Sequence, residues 1–165
     1  MVSGSCFLVA RDERFTGQTH VDQVYGGPFC FRDCDPTVGM PVPVTVGQAT
    51  NGIKFRLVEG GHVAGNVSDS STGDPLGYPT ALFFYEWPSL IPLDAAFANT
   101  DGSYAGEQAL PQGKYLVLAS SPDHLDVLFD DVPCEQGCNA GAGDRIKVHR
   151  GKTTGDIDFP LDPGP

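Results

Sequence analysis

The stretch CFRDCDPTVGMPVPVTVGQATNGIKFRL, from Cys30 to Leu57, lies without a gap over CEQGCNAGAGDRIKVHRGKTTGDIDFPL, from Cys134 to Leu161, at a shift of 104 residues. Cys30, Cys34, Gly39, Val44 and Gly47 recur as Cys134, Cys138, Gly143, Val148 and Gly151. Thr50, Ile53, Phe55 and Leu57 recur as Thr154, Ile157, Phe159 and Leu161. Turn glycines and apolar residues keep a single register, which is the mark of an internal repeat. Upstream, His20-x-Asp22 falls on His124-x-Asp126, and GSCFLVA (Gly4 to Ala10) falls on GKYLVLA (Gly113 to Ala119) once five extra residues are allowed.

Residues 1–60 therefore read as the C-terminal half of a first β-sandwich repeat, and residues 61–165 as a complete second copy. A half-sandwich has no second sheet on which to bury its apolar face. It must pack on the complete copy or on another chain, or stay partly unsettled. The chain reads as a piece of a longer array, the alternative being a protein built of one and a half units. Gly60-Gly61, at the boundary, reads as a short hinge that keeps neighbouring units close.

Composition agrees with an all-β reading. Gly (21) and Pro (14) fall between short apolar runs rich in Val, Phe, Tyr and Thr. The formal charge of −11 argues against phosphate-backbone binding, so no nucleic-acid partner is expected. The one basic run, Arg145 to Lys152, reads as the solvated face of a strand. No apolar stretch approaches the ~20 residues of a membrane span. The N-terminus lacks the basic and apolar regions of a signal peptide, so any export signal is expected outside this chain.

Within the second unit the strand signals come in order. HVAGNVS ends at the Asp-, Ser- and Gly-rich DSSTGDPLGYP, TALFFYEW follows, and LDAAFANTDGSY runs through an Asp-Gly turn that reads as a hairpin. KYLVLAS, HLDVLF, RIKVHR and DIDFPL bring the count to about seven short strands, the pattern of an Ig-like β-sandwich. The series GHVAGNVSDSSTGDPL, TDGSY and LPQGKYLVLA, over His62 to Ala119, resembles the carboxypeptidase regulatory-like domain. That family is a prealbumin-like, seven-stranded sandwich close in shape to starch-binding-like modules. The resemblance implies a non-catalytic extracytoplasmic module, which in some relatives flanks a peptidase or binds carbohydrate. It hands over no catalytic residue.

The Cys-x-x-x-Cys pairs, Cys30 with Cys34 and Cys134 with Cys138, can each close a five-residue loop as a disulfide, and this points to an oxidising compartment such as the periplasm or cell surface. Free thiols and a metal site are the alternatives, but zinc needs a second ligand pair that neither copy has nearby. Cys6, in the place of Tyr115, reads as an inward core thiol. Tyr115, just after a Gly turn, reads as a tyrosine folding its hydroxyl back onto that turn. Asn99 and Asp101 in NTDGSY, with Asp69 and Asp74 on the preceding loop, are weak calcium candidates, a plain turn being the simpler reading. Tyr85 and Trp87 share a strand face and could stack on a sugar ring or pack within the protein. The Asn66 glycosylation sequon falls inside a strand and carries no weight.

No nucleophile elbow, zincin motif or phosphate loop is present, and paired carboxylates such as Asp130 and Asp131 are common in any acidic chain. The sequence thus predicts a non-enzyme without cofactor: a structural spacer or presentation module whose partners are adjacent repeats or another copy of the chain. Polysaccharide binding through Tyr85 and Trp87 is the alternative, and accessory service to a peptidase a third.

Overall fold

The computed structural model describes residues 3–12, 17–31, 34–134 and 139–165. Among these the chain is all-β, with two single-turn 3₁₀ helices at Pro36–Val38 and Ala140–Ala142. The first region contributes β1 (Ser3–Cys6), β2 (Val9–Ala10), β3 (His20–Val21), β4 (Gln23–Val24), β5 (Val42–Thr45) and β6 (Val58–Glu59). They pair antiparallel as β1 with β5, β2 with β4, and β3 with β6.

The second region opens with β7 (His62–Asp69), β8 (Ala81–Glu86), β9 (Pro92–Phe97), β10 (Ser103–Ala105) and β11 (Gly113–Ser120). It closes with β12 (Val127–Leu128), β13 (Val132–Pro133), β14 (Ile146–Val148), β15 (Thr153–Thr154) and β16 (Phe159–Leu161). The larger sheet runs β13-β12-β11-β8-β9, with β14 also on β11. In the smaller sheet β7 pairs antiparallel with β10 and parallel with β15 and β16.

The two sheets meet over one core because period-2 alternation turns Val63 and Val67, Leu82 and Phe84, and Tyr115, Val117 and Ala119 to the same side. Phe159 and Leu161 close it from the smaller sheet. Each such large side chain contributes ~1.5–3 kcal/mol by leaving water. Tyr115 folds back as expected, its hydroxyl donating to the Pro111 carbonyl at 2.7 Å.

Two expectations need correction. Ten strands rather than about seven are found in the described part of this region, β13 and β15 being short pieces that no strand signal marked and β10 the expected strand after the Asp-Gly turn. The Asp101-Gly102 turn does close, with Gly102 N–H on Asn99 O at 2.9 Å and Asn99 N–H on Ser103 O at 2.8 Å. It does not make a hairpin, because β9 pairs with β8 while β10 pairs with β7. The chain crosses between sheets here, and the crossing sets Tyr104 in the core with its ring 6.4 Å from both Phe84 and Phe159.

The same small contacts occur twice, at the shift seen in the sequence. Val9 opposes Val24 as Leu118 opposes Leu128, and Gly4 opposes Val44 as Gly113 opposes Val148. Cys30 N–H donates to Asp22 O as Cys134 N–H does to Asp126 O, and Met40 N–H to Tyr25 O as Asp144 N–H to Phe129 O. Asp35 caps one 3₁₀ turn and Asn139 the other. The Thr50 hydroxyl donates to Pro43 O, and that of Thr154 to Lys147 O. Tyr25 meets Phe55 edge-on at 5.5 Å, and Phe129 meets Phe159 at 6.0 Å.

Gly60 and Gly61 do not form a hinge. Both are buried, and both are held by backbone hydrogen bonds. Gly60 donates to Thr19 O and accepts from Gly151 N–H, while Gly61 exchanges both bonds with Leu110. A Cβ on Gly61 would stand 2.3 Å from the His149 carbonyl oxygen, so glycine is needed here for close approach. Side chains add to the clamp: Gln18 accepts from Ala109 N–H at 2.9 Å, and the His62 ring lies 2.8 Å from Gln18 O.

Candidate binding surface

The outer face of the larger sheet carries both aromatic residues singled out in the sequence. Tyr85 stands there on β8, beside Leu116 of β11. Trp87 follows the strand, held by its N–H on Lys114 O at 2.9 Å. Its ring is not an open platform. The Arg145 guanidinium covers one face at 4.1 Å, and the glycine at 141 lies close against the six-membered ring. The span from Asn139 to Arg145 thus lies across this half of the sheet, and Gly143 seats on Leu128.

The other half of the same face is open. Tyr78 and Phe97 meet there at 5.5 Å with their rings tilted by 54°, and they are 75% and 55% exposed. Phe83 on β8 and Leu118 opposite it on β11 are half-buried on this face. Sequence reasoning missed this pair. Alternation counted from Leu93 would turn Phe97 inward, but a bulge where Phe84 opposes Asp94 and Tyr85 opposes Pro92 reverses the phase. Leu93 and Asp94 are both buried as a result, and Phe97 points out. The buried Asp94 carboxylate is held by Ala95 N–H at 2.8 Å and Gln108 N–H at 3.1 Å.

The calcium candidates sit at the turn end of the smaller sheet. Asp101 uses its carboxylate within its own turn, accepting from Ser103 N–H and hydroxyl, and these bonds hold it below the usual carboxylate range. Asn99 donates to the Ser103 hydroxyl. Asp69 accepts from the Ser71 hydroxyl and from Ser71 and Thr72 N–H, and faces His124 at 3.2 Å. Asp74 is exposed on the same loop. No group of three or more His, Cys, Asp or Glu among the described residues is placed to share a metal ion.

Cys30 and Cys34 form a disulfide with Cα atoms 5.2 Å apart. Cys134 is disulfide-bonded as well; Cys138, its expected partner, lies outside the described residues. Cys6 is a free thiol and is exposed, not buried as expected, because β1 has a neighbour on one edge only among the described residues. A crevice of about 280 Å³ between β12, β13 and β16 is walled by Leu125, Val127 and Pro160. Its Asp162 carboxylate is taken by the Ser70 hydroxyl. No helix among the described residues is long and apolar enough to cross a membrane.

No protein-family model matches the chain, and no curated protein does. Among solved structures it is similar to a candidate carbohydrate binding protein from Bacteroides uniformis, with 15% identity and a TM-score of 0.41. That match covers 62% of this chain and 41% of the other.

Proposed function

We propose that the protein is a non-catalytic structural module of a larger exported protein, in which β-sandwich repeats hold neighbouring parts at fixed spacing. Residues 1–60 are, on this reading, the C-terminal half of one repeat and residues 61–165 the whole of the next. The observation that carries it is the clamped junction. Gly60 and Gly61 are hydrogen-bonded on both sides, and Gln18 and His62 bridge the two regions. A spacer transmits position only if its joints resist bending, and backbone bonds in a buried joint supply that resistance. The doubled contacts and the resemblance to carboxypeptidase regulatory-like domains support the repeat. The Cys30–Cys34 bond supports an extracytoplasmic location, where such bonds persist.

The test is backbone relaxation by NMR on the whole chain. Residues 3–60 and 61–165 are expected to share one rotational correlation time, and Gly61→Val to split it into two. Two correlation times in the unaltered chain would sink the spacer reading.

A second reading is favoured by the open Tyr78–Phe97 pair, since paired aromatic faces take up the C–H faces of sugar rings. Affinity electrophoresis through gels of soluble polysaccharides separates the two. Retardation abolished by Phe97→Ala but kept in Trp87→Ala places binding on the open half of the sheet. Loss in Trp87→Ala alone would return it to the residues first singled out. Unchanged mobility in every gel leaves the spacer.

A further inference from the structure

We infer that the edge of β1 and β2, from Cys6 to Ala10, unpaired among the described residues, together with the row Ile53, Phe55 and Leu57, is an acceptor for two strands patterned like β7 and β8. The inference rests on the two-copy reading. It goes beyond it by naming the surface and the chemistry of what fills it: an extended segment with the alternation of residues 62–112.

The complete region shows what the equivalent positions look like when filled. There β11 has β14 and β12 on one edge and β8 on the other. In the first region β5 and β4 occupy the places of β14 and β12 in the same register, and among the described residues nothing stands in the place of β8. An edge strand left so presents its unpaired N–H and C=O groups for pairing.

The side chains report the same vacancy. Phe7 is 37% exposed where Leu116 is 0% exposed, and Cys6 is exposed where Tyr115 is buried. Ile53, Phe55 and Leu57 alternate with exposed neighbours as Ile157, Phe159 and Leu161 do. They remain half-buried, whereas their counterparts are buried against β7 and its sheet.

Register selects the occupant. In the filled copy Leu82 opposes Ala119 and Phe84 opposes Val117. On the free edge the same positions are Ala10 and Leu8, so the donor must run antiparallel with large apolar residues at those two places. A second copy of this chain has its own β7 and β8 already built into a sandwich, and would have to open that sandwich to donate them. The fitting donor is therefore a further segment of the same pattern, continuous with the edge.

The experiment fuses an added copy of Gly61–Gln112 directly ahead of Gly4 in the full chain, restoring the order in which Gln112 precedes Gly113. Cys6 is the reporter, because it takes the place of the buried Tyr115. Its reaction with a thiol reagent is expected to slow on the order of 100-fold relative to the unfused chain, as opening becomes necessary for access. Amide exchange at Phe7 and Val9 is expected to slow with it. Placing Phe83→Pro in the added copy alone should restore fast labelling.

Cys6 labelling at the unfused rate would overturn the inference, whether the added segment folds elsewhere or stays unfolded. Protection of Cys6 in the unfused chain through concentration-dependent dimerisation would overturn it in favour of a second copy. The spacer reading fails on different grounds, since two correlation times across the Gly60–Gly61 joint would defeat it whatever Cys6 does.

Discussion

Among the described residues, 3–60 and 61–165 share a capped 3₁₀ turn and the registers of β1 on β5 and β2 on β4 with those of β11 on β14 and β12, yet they differ in what they bury. Val24 and Leu128 are both buried, and so are Val42 and Ile146. Val24 and Leu128 are covered locally: Gly39 seats on Val24 as Gly143 seats on Leu128. Val44 is 37% exposed while its counterpart Val148 is 1% exposed, and Phe7 differs from Leu116 in the same sense. In the second region Leu116 lies beside Tyr85 of β8 and Val148 packs in the core with Val63 of β7. The comparison separates two kinds of stability in one fold. Turns and local ladders form from short-range hydrogen bonds, and only the face shared with β7 and β8 requires the whole unit.

The largest expected contrast sets Leu116→Ala against Phe7→Ala. Leu116 is fully buried beside Tyr85, so truncation should cost about 2–5 kcal/mol through lost burial and the cavity left behind. Phe7 lies at the equivalent place and is partly in water, so Phe7→Ala should cost less than about 1 kcal/mol. Urea melts followed by Trp87 fluorescence and by circular dichroism measure both. Equal costs would mean that Phe7 is already covered, and the comparison would break.

Tyr115→Phe should have a smaller effect. It removes the bond from the Tyr115 hydroxyl to Pro111 O, and a loss of about 1 kcal/mol is expected. The hydroxyl is buried, which pushes its ionisation well above the usual tyrosine range, with Glu86 adding to the shift. It therefore acts as a donor at any working pH. A neutral result in the same urea melt would show that water replaces the bond at no cost.

Much of this architecture was legible in the sequence because it depends on local residues. Turn glycines, the Cys30–Cys34 loop and the back-folded Tyr115 each follow from a few neighbouring positions. What was not legible depends on contacts between distant segments. The Asp101-Gly102 turn announces a reversal, but which sheet each arm joins is decided by where Tyr104 must pack. The exposure of Phe97 was hidden by a bulge that alternation alone does not reveal. The sequence leaves Trp87 free either to stack on a sugar or to pack within the protein, because the group that covers its ring, Arg145, comes 58 positions later. A Gly-Gly pair suits a short hinge and close packing alike, and the choice between them is set by His149 and Leu110 across the joint.

The smallest expected effect comes from His124 and sharpens the comparison at the strand ends. His20 and His124 hold equivalent places, but His20 lies 3.2 Å from Asp12 of its own region's loop, while His124 meets Asp69 at the end of β7. Only the second contact ties the two sheets. Both ring nitrogens of His124 face acceptors, Pro122 O at 2.9 Å and Asp69 Oδ2 at 3.2 Å, so the charged ring satisfies both and the neutral ring one. The Pro122 carbonyl and then Asp69 raise its ionisation above the ordinary 6.5. Hydrogen bonds from Ser71 and Thr72, and then His124, hold Asp69 far below the ordinary 3.8.

The signs follow from these directions. Because the folded value of His124 is raised, its contribution is fully present below pH 6.5 and is lost as pH rises through that raised value. Because the folded value of Asp69 is depressed, its contribution is present above pH 3.8 and is lost only as pH falls through the depressed value. The tie is therefore complete between those ordinary values and weakens toward alkaline pH. Thermal melts should show a slightly higher Tm at pH 5.5 than at pH 8.5 relative to His124→Gln, with the difference narrowing as pH rises. A His124→Gln curve parallel to the unaltered chain across that range would leave the pair without a role in joining β7 to the β11–β12 connection, and the two histidines would then be alike in effect as well as in position.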